Sequence, residues 1–271
     1  MKFAARIMGL ALAFLILFST VSYGQVNNIK DRKIVIFIVD RVNLNDYVAN
    51  DLPNIKYLME NGTYGLMTVN SDGGRTPENV YMTIGCGTRA VGSEKASLNF
   101  NASEIVNGEQ ASIIFKRNTG IKPQVFNIVN LDFAQIERNN LTRNHIVVPG
   151  LLGALLKQNG KTVAVFGNED TDVEQRRYAP LIVMDEKGIV DFGDVSDNIL
   201  KRDPLSPFGI MTDYNLLYQK YTEMKEKPDL TIFQLGDTIR ANDYHKYAMD
   251  KINERNKKGL YTKQMNLLAK S

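Results

Sequence analysis

The sequence predicts an α/β fold: a three-layer α/β/α sandwich around a mostly parallel β-sheet. Three observations support this prediction. Apolar, β-branched runs alternate with amphipathic segments along the 271-residue chain. Several runs are apolar without interruption, which is typical of strands buried on both faces of a parallel sheet. Two of them end in an aspartate, Asp40 and Asp237, at the strand end where open α/β sheets bind ligands.

The first 24 residues predict a secretory signal peptide. Lys2 and Arg6 precede an apolar run over 8–18, which is too short to span a bilayer comfortably. Ser22 and Gly24 occupy the small-residue positions before a cleavage site. The alternative is an uncleaved membrane anchor. In both cases we expect the folded protein to be extracytoplasmic, either secreted or associated with the cell envelope.

Residues 25–271 are predicted to form one domain, and its first half alternates strand and helix signals. The run KIVIFIVD (33–40) predicts a strand, and 52–62 has apolar residues at helical spacing. The run TYGLMTV (63–69) predicts the next strand, and Pro77 opens a helix. The polar stretch 93–124 predicts an excursion from the sheet or a small helix.

The second half continues the same alternation. We predict strands at 124–130, 161–170 and 228–237 and a hairpin over 179–195. We predict helices at 145–160, 213–227 and 243–270. No strand follows the last helix, so we expect the natural domain to continue beyond Ser271 and this chain to be incomplete at its C-terminus.

Composition limits the classes of partner. The formal net charge is +3, and a balance this small does not indicate a nucleic-acid partner. The single cysteine, Cys86, excludes an intrachain disulfide. We expect membrane contact only through the N-terminal segment or a missing C-terminal region.

The loop that begins at Gly73, with the sequence GGRTPENVYMTIGCGTR, has two interpretations. Thr76 precedes Pro77 and is therefore a natural N-cap residue. Alternatively, the backbone N–H groups at this helix start bind an anion, and Arg75 offers a fork to phosphate oxygens. A metal held by Asp40 would then lower the pKa of the Thr76 hydroxyl and make it a nucleophile.

Two motifs in this region resemble the alkaline phosphatase superfamily. The strand IVIFIVD ends in Asp40 and is followed by GGRTPENVYMTIGCGTRAVG, and this order resembles the start of that superfamily. The stretch 83–89 is similar to one in cofactor-independent phosphoglycerate mutases, and 76–85 is similar to one in phosphodiesterases. The resemblance covers roughly residues 33–92. It implies an alkaline phosphatase-like sandwich and a metal-dependent phosphatase or phosphodiesterase.

The resemblance also implies residue roles. Asp40 matches the first metal ligand, and Thr76 matches a nucleophile that also binds metal. Asn79 would orient the phosphoryl group, beside the Arg75 fork. Zn²⁺ or Mn²⁺ is the implied cofactor, and a small phosphate ester or another anionic substrate is the implied ligand.

The second half of the implied metal site is less complete in this sequence. Asp237 matches its first acid, but Ala241 stands where the family has a histidine, and His245 is the candidate replacement. Asp170 is either a loop cap or a ligand, and His145 is predicted to be structural. The alternative function is therefore a non-catalytic protein of the same fold that acts in binding or assembly at the cell envelope.

Overall fold

The computed structural model of the chain describes residues 32–49, 51–68 and 70–257. The predicted signal peptide and the end of the predicted last helix lie outside these ranges. The described fold lies in a compact unit that begins at Lys33. No helix within the described ranges combines the length and the hydrophobicity that a membrane crossing requires.

The strands and helices are numbered here in chain order. The strands are β1 (Ile34–Ile38), β2 (Asn99–Asn101), β3 (Ile105–Val106), β4 (Glu109–Gln110), β5 (Ile128–Asn130), β6 (Val163–Asn168), β7 (Ile189–Val190), β8 (Phe192–Asp194), β9 (Leu200–Arg202), β10 (Ile210–Thr212) and β11 (Leu230–Leu235). The helices are α1 (Leu44–Ala49), α2 (Pro53–Asn61), α3 (Pro77–Cys86), α4 (Ala111–Thr119), α5 (Phe133–Leu141), α6 (Leu151–Gln158), α7 (Pro180–Val183), α8 (Tyr214–Thr222) and α9 (Asp237–Lys257).

The main sheet has four strands in the order β1-β11-β6-β8. Every neighbouring pair in it is parallel, so the predicted α/β fold with a parallel sheet is confirmed. In register, Ile38 pairs with Gln234, and Gln234 pairs with Gly167. The carboxyl ends of β1, β6 and β11 therefore meet at one edge of the sheet.

Apolar cores cover both faces of the sheet at β6. Val163 and Val165 of β6 pack with side chains of α3, α5 and α7 on one face. Ala164 and Phe166 of the same strand pack with Leu217 of α8 on the other face. This alternation follows from the two-residue period of a strand. All six residues of β6 are buried, as an uninterrupted apolar strand predicts.

The other strands form smaller sheets. Strand β5 pairs antiparallel with β2 and β7, so the predicted strand at 124–130 exists but lies outside the main sheet. The predicted excursion over 93–124 contains β2, β3, β4 and α4. Phe100 and Phe115 form the centre of a separate core beneath this region.

Several local predictions were wrong. Strand β1 lies at the edge of the described sheet and is largely exposed, with Phe37 at 62% exposure, although its sequence predicts burial on both faces. Residues 63–68 form no strand. The predicted helix at 145–160 begins only at Leu151, so His145 lies in the preceding loop.

The predicted hairpin over 179–195 is also wrong. Residues Pro180–Val183 form the short helix α7, and all four are buried. Strands β7 and β8 pair with β5 and β6 respectively and not with each other. Pro180 at the helix start explains part of this outcome, since proline suits the first helical turn and donates no hydrogen bond to a strand.

Glycines on two helices let α7 approach closely. A Cβ on Gly85 of α3 would lie 2.5 Å from the Leu181 carbonyl oxygen and 2.7 Å from that of Ile182. Gly153 of α6 meets the carbonyls of Val183 and Met184 in the same way. The α3–α7 contact therefore depends on the absence of a side chain at Gly85.

We expect Gly85→Ala to lower the free energy of unfolding by about 1–3 kcal/mol, because its methyl group overpacks a backbone contact. Gly65→Ala is the matched control, since nothing lies within 4 Å of a Cβ there and the change should stay within about 0.5 kcal/mol. Urea denaturation of both variants measures the difference. Equal effects would contradict the packing account.

Candidate functional site

Asp40 lies just beyond the carboxyl end of β1, at the edge of the sheet where ligands bind in open α/β folds. The Tyr81 hydroxyl donates a 2.7 Å hydrogen bond to Asp40 Oδ2. The Thr238 hydroxyl donates to the Asp40 carbonyl oxygen at 2.7 Å. The Asp40 carboxylate is therefore oriented by helix α3, and its backbone is held by the start of α9.

Thr76 occupies the N-cap position of α3, as the sequence predicts, but its side chain makes no capping hydrogen bond. The residue is exposed. Its hydroxyl therefore lies at the positive end of the helix without a capping hydrogen bond. Tyr81, five residues further along the same helix, is the residue that contacts Asp40.

The other two predicted catalytic residues differ in their surroundings. Arg75 is exposed beside Thr76. Asn79 is buried, and both ends of its amide bond the backbone: Nδ2 donates to the Gly74 carbonyl at 3.2 Å, and Oδ1 accepts from the Gly92 N–H at 2.8 Å. In this structure Asn79 therefore fixes the glycine loop, and Arg75 remains the side chain available to an anion.

A second carboxyl group lies beside Asp40. Glu169 follows β6 directly and is 1% exposed. Within the described part of the chain, neither of its carboxyl oxygens has a hydrogen-bond partner of good geometry, although Asp40 and the Gln234 amide lie close enough to shift its pKa. Burial first, and then the neighbouring Asp40, raise the pKa of Glu169 to about 8. The pKa of Tyr81 is raised by burial and by these same two acids.

Gln234 of β11 lies next to Tyr81 at the same edge of the sheet. Its side chain is fully buried, and its amide Nε2 donates to the Tyr81 hydroxyl oxygen at 3.4 Å. Its Oε1 accepts from the Ala179 N–H at 3.1 Å. Asp40, Tyr81, Glu169 and Gln234 are called the carboxyl-edge cluster below.

Asp237, the predicted acid of the second half-site, lies in a different network. Its carboxylate accepts hydrogen bonds from the Tyr214 hydroxyl at 2.6 Å, from the Thr212 N–H at 3.0 Å and from Arg240 at 2.8 Å. Burial opposes its ionisation, but the hydrogen bonds from Tyr214 and Arg240 lower the pKa of Asp237. Asp237 therefore acts here as the partner of a buried arginine.

The two histidines do not join the carboxyl-edge cluster. His245 is exposed on α9, and His145 Nε2 lies 2.7 Å from the Arg89 carbonyl oxygen. Among the residues that the structure describes, no group of three or more His, Cys, Asp or Glu side chains is placed to hold a metal ion. Asp40, Asp237 and His245 therefore do not form one such group in this structure.

Asp170 belongs to a buried ion-pair network. Its carboxylate accepts from Arg177 Nε at 2.8 Å, and Arg177 also pairs with Glu104 at 2.8 Å. Both Asp170 and the Arg177 guanidinium are almost fully buried. Asp170 Oδ1 also accepts from the Arg176 N–H at 2.7 Å, as expected of a loop cap, while the pairing with Arg177 is a role that neither interpretation of Asp170 included.

Sequence reasoning missed Tyr81, Glu169 and Gln234. Glu169 carried a usable signal, because it is an acid placed directly after a buried strand. Tyr81 and Gln234 carried none, since an apolar helix face and an apolar strand are ordinary surroundings for both residue types.

Comparison of the chain with protein-family models, with characterised proteins and with solved structures finds no match.

We expect Thr76→Ala to change the free energy of unfolding by less than about 0.5 kcal/mol, because the side chain makes no capping bond. Asp213→Ala is the contrasting variant. Asp213 caps α8 by accepting from the Leu216 N–H at 3.1 Å, so its removal should cost about 1 kcal/mol. Denaturant unfolding compares the two. A larger cost at Thr76 than at Asp213 would show that Thr76 caps its helix.

We expect Asp170→Asn to lower the free energy of unfolding by about 3–5 kcal/mol, because it leaves the buried Arg177 charge without one of its partners. Glu174→Gln on the same loop is the control. Glu174 pairs with Arg176 at the surface, where an ion pair contributes at most about 1 kcal/mol. Thermal unfolding of the two variants is the measurement, and similar losses would contradict the network.

Proposed function

We propose that this protein is an extracytoplasmic, metal-dependent phosphoric ester hydrolase in which Thr76 is the nucleophile and Asp40 binds the metal. One observation carries the proposal: a single helix, α3, begins at an uncapped, exposed Thr76 and orients the Asp40 carboxylate through Tyr81. A helix N-terminus favours an anion, and an aspartate at a strand end suits a cation. The resemblance to the alkaline phosphatase superfamily and the predicted signal peptide support the same proposal.

The residues present fit an oxygen-ligated cation better than zinc. Asp40 offers carboxylate oxygens, and the described part of the chain brings no histidine to it. Oxygen donors suit Mg²⁺ and Mn²⁺, whereas zinc sites usually include histidine or cysteine. Of the two predicted metals, the proposal therefore favours Mn²⁺.

In the proposed reaction, the Thr76 oxygen bonds to phosphorus as the bond from phosphorus to the ester oxygen breaks, and the threonine proton is transferred to the leaving ester oxygen. Water then hydrolyses the phosphothreonine and restores the threonine hydroxyl. A cation bound at Asp40 would lower the pKa of the threonine hydroxyl. Arg75 would bind the non-bridging oxygens, because its exposed guanidinium lies next to the nucleophile. Asn79 would act indirectly, by holding the glycine loop in place.

A second candidate function is a non-catalytic role in binding at the cell envelope. One observation favours it: Asp237 is fully engaged with Thr212, Tyr214 and Arg240, so the second predicted half-site is not assembled among the described residues. In that case Thr76 and Arg75 would bind an anion without turnover.

The test is hydrolysis of p-nitrophenyl phosphate and bis-p-nitrophenyl phosphate with Mn²⁺, Mg²⁺ or Zn²⁺ in turn. We expect Thr76→Ala to abolish turnover and Thr76→Ser to retain part of it, because serine keeps the hydroxyl. Thr142→Ala is the control, since Thr142 is also an exposed threonine at a helix end. Unchanged turnover in Thr76→Ala would remove Thr76 from catalysis. No turnover by the wild-type protein with any metal would favour the binding role.

A further inference from the structure

Among the described residues, the buried carboxylates have basic partners, with one exception. The paired acids, each with its partner, are Asp170 with Arg177, Asp185 with Lys157, and Asp194 with Lys220. Glu169 is as deeply buried as these acids, but no salt bridge reaches it among the described residues. An isolated buried carboxylate is costly, so Glu169 is stabilised either by a proton or by a cation.

The nearby arginines are already engaged with other acids. Arg176 bonds Glu174 at 2.7 Å and also bonds Asp243. Arg177 and Arg240 pair with Asp170 and Asp237 respectively. None of these arginines forms a salt bridge with Glu169 among the described residues, although Arg176 lies close enough to oppose the rise in its pKa.

Asp40 is a second carboxylate that forms no salt bridge among the described residues. It lies close enough to Glu169 to raise the pKa of that carboxyl, and its own carboxylate accepts a hydrogen bond from the neutral Tyr81 hydroxyl. Two adjacent carboxylates repel each other unless a proton or a cation lies between them. Asp40 is partly exposed, so an ion from solvent can reach the pair from that side.

We infer that Asp40 and Glu169 together bind a hard divalent cation, Mg²⁺ or Mn²⁺, with Glu169 as a ligand. Two carboxylates with several retained waters is a usual way for proteins to bind Mg²⁺. The inference rests on the proposed function only in that both use Asp40, because cation binding does not require turnover.

The same site explains the position of Tyr81. Its hydroxyl donates to Asp40 Oδ2 and accepts from Gln234, which fixes the direction of the Asp40 carboxylate. Hydrogen bonds of this kind orient metal ligands and raise the affinity of the site. Tyr81 is thus a positioning residue, and Glu169 and Asp40 are the ligands.

The experiment is a titration of the full chain with Mn²⁺, followed by electron paramagnetic resonance of the free ion, with Mg²⁺ as competitor. We expect one site that Mg²⁺ displaces. Glu169→Gln and Asp40→Asn should each weaken Mn²⁺ binding at least about tenfold, and Tyr81→Phe should weaken it less. Asp172→Asn is the matched control, because Asp172 is an exposed acid on the loop that follows Glu169.

Glu169→Gln preserves shape and removes a charge, and circular dichroism checks that it folds. Wild-type protein that binds no Mn²⁺ would overturn the inference, as would Glu169→Gln binding that equals the wild type. Binding that is lost in Glu169→Gln while wild-type protein hydrolyses no phosphate ester would uphold this site and reject the proposed hydrolase. Turnover by a wild-type protein that binds neither Mn²⁺ nor Mg²⁺ would overturn the site and retain Thr76 as the nucleophile.

Discussion

The arrangement of residues at the carboxyl edge of the main sheet depends on the position of β11 between β1 and β6. This strand is the last of those described, yet it is central in the sheet. Its parallel register sets Gln234 between Ile38 and Gly167, which brings the residues after β1 and β6 to the same edge. Gly167 is required for this approach, because it has a positive φ and a Cβ there would clash with the Gln234 carbonyl oxygen. Without this pairing, Asp40 and Glu169 would not be neighbours.

The same edge concentrates buried charge. The Arg177 and Arg240 side chains are almost fully buried, and each is tied to an acid and to backbone carbonyls or a hydroxyl. Burying these guanidinium groups is tolerable only because their hydrogen bonds are satisfied. The result is a hydrogen-bonded polar layer in which Asp170 and Asp237 are each paired with an arginine. Among the described residues, neither Glu169 nor Asp40 forms a salt bridge with an arginine of this layer. A proton or a cation would stabilise this pair, and the proposed cation site follows from that.

The long strands of the main sheet were predictable from the sequence, whereas several shorter elements were not. The runs at 161–170 and 228–237 became β6 and β11, because long β-branched stretches are both apolar and stiff. The apolar run at 179–184 became the short helix α7 instead of a strand, and 63–68 formed no strand. An apolar pattern indicates burial. It does not distinguish a helix from a strand in a very short segment, because such a segment is too short to show a repeat of 3.6 or of 2 residues. The exposure of β1 could not be predicted from its own residues either, because it depends on which elements pack beside the strand.

The sequence by itself determined the local features of the candidate site. The threonine before Pro77 begins a helix, and Asp40 follows a strand, since both depend on residues adjacent in the chain. Only the tertiary structure decided which groups surround Asp40. Tyr81 and Glu169 lie beside Asp40, although they are distant from it in the chain. Asp237 instead accepts hydrogen bonds from Thr212, Tyr214 and Arg240. These pairings arise from strand order and helix packing, which join residues that no local pattern relates.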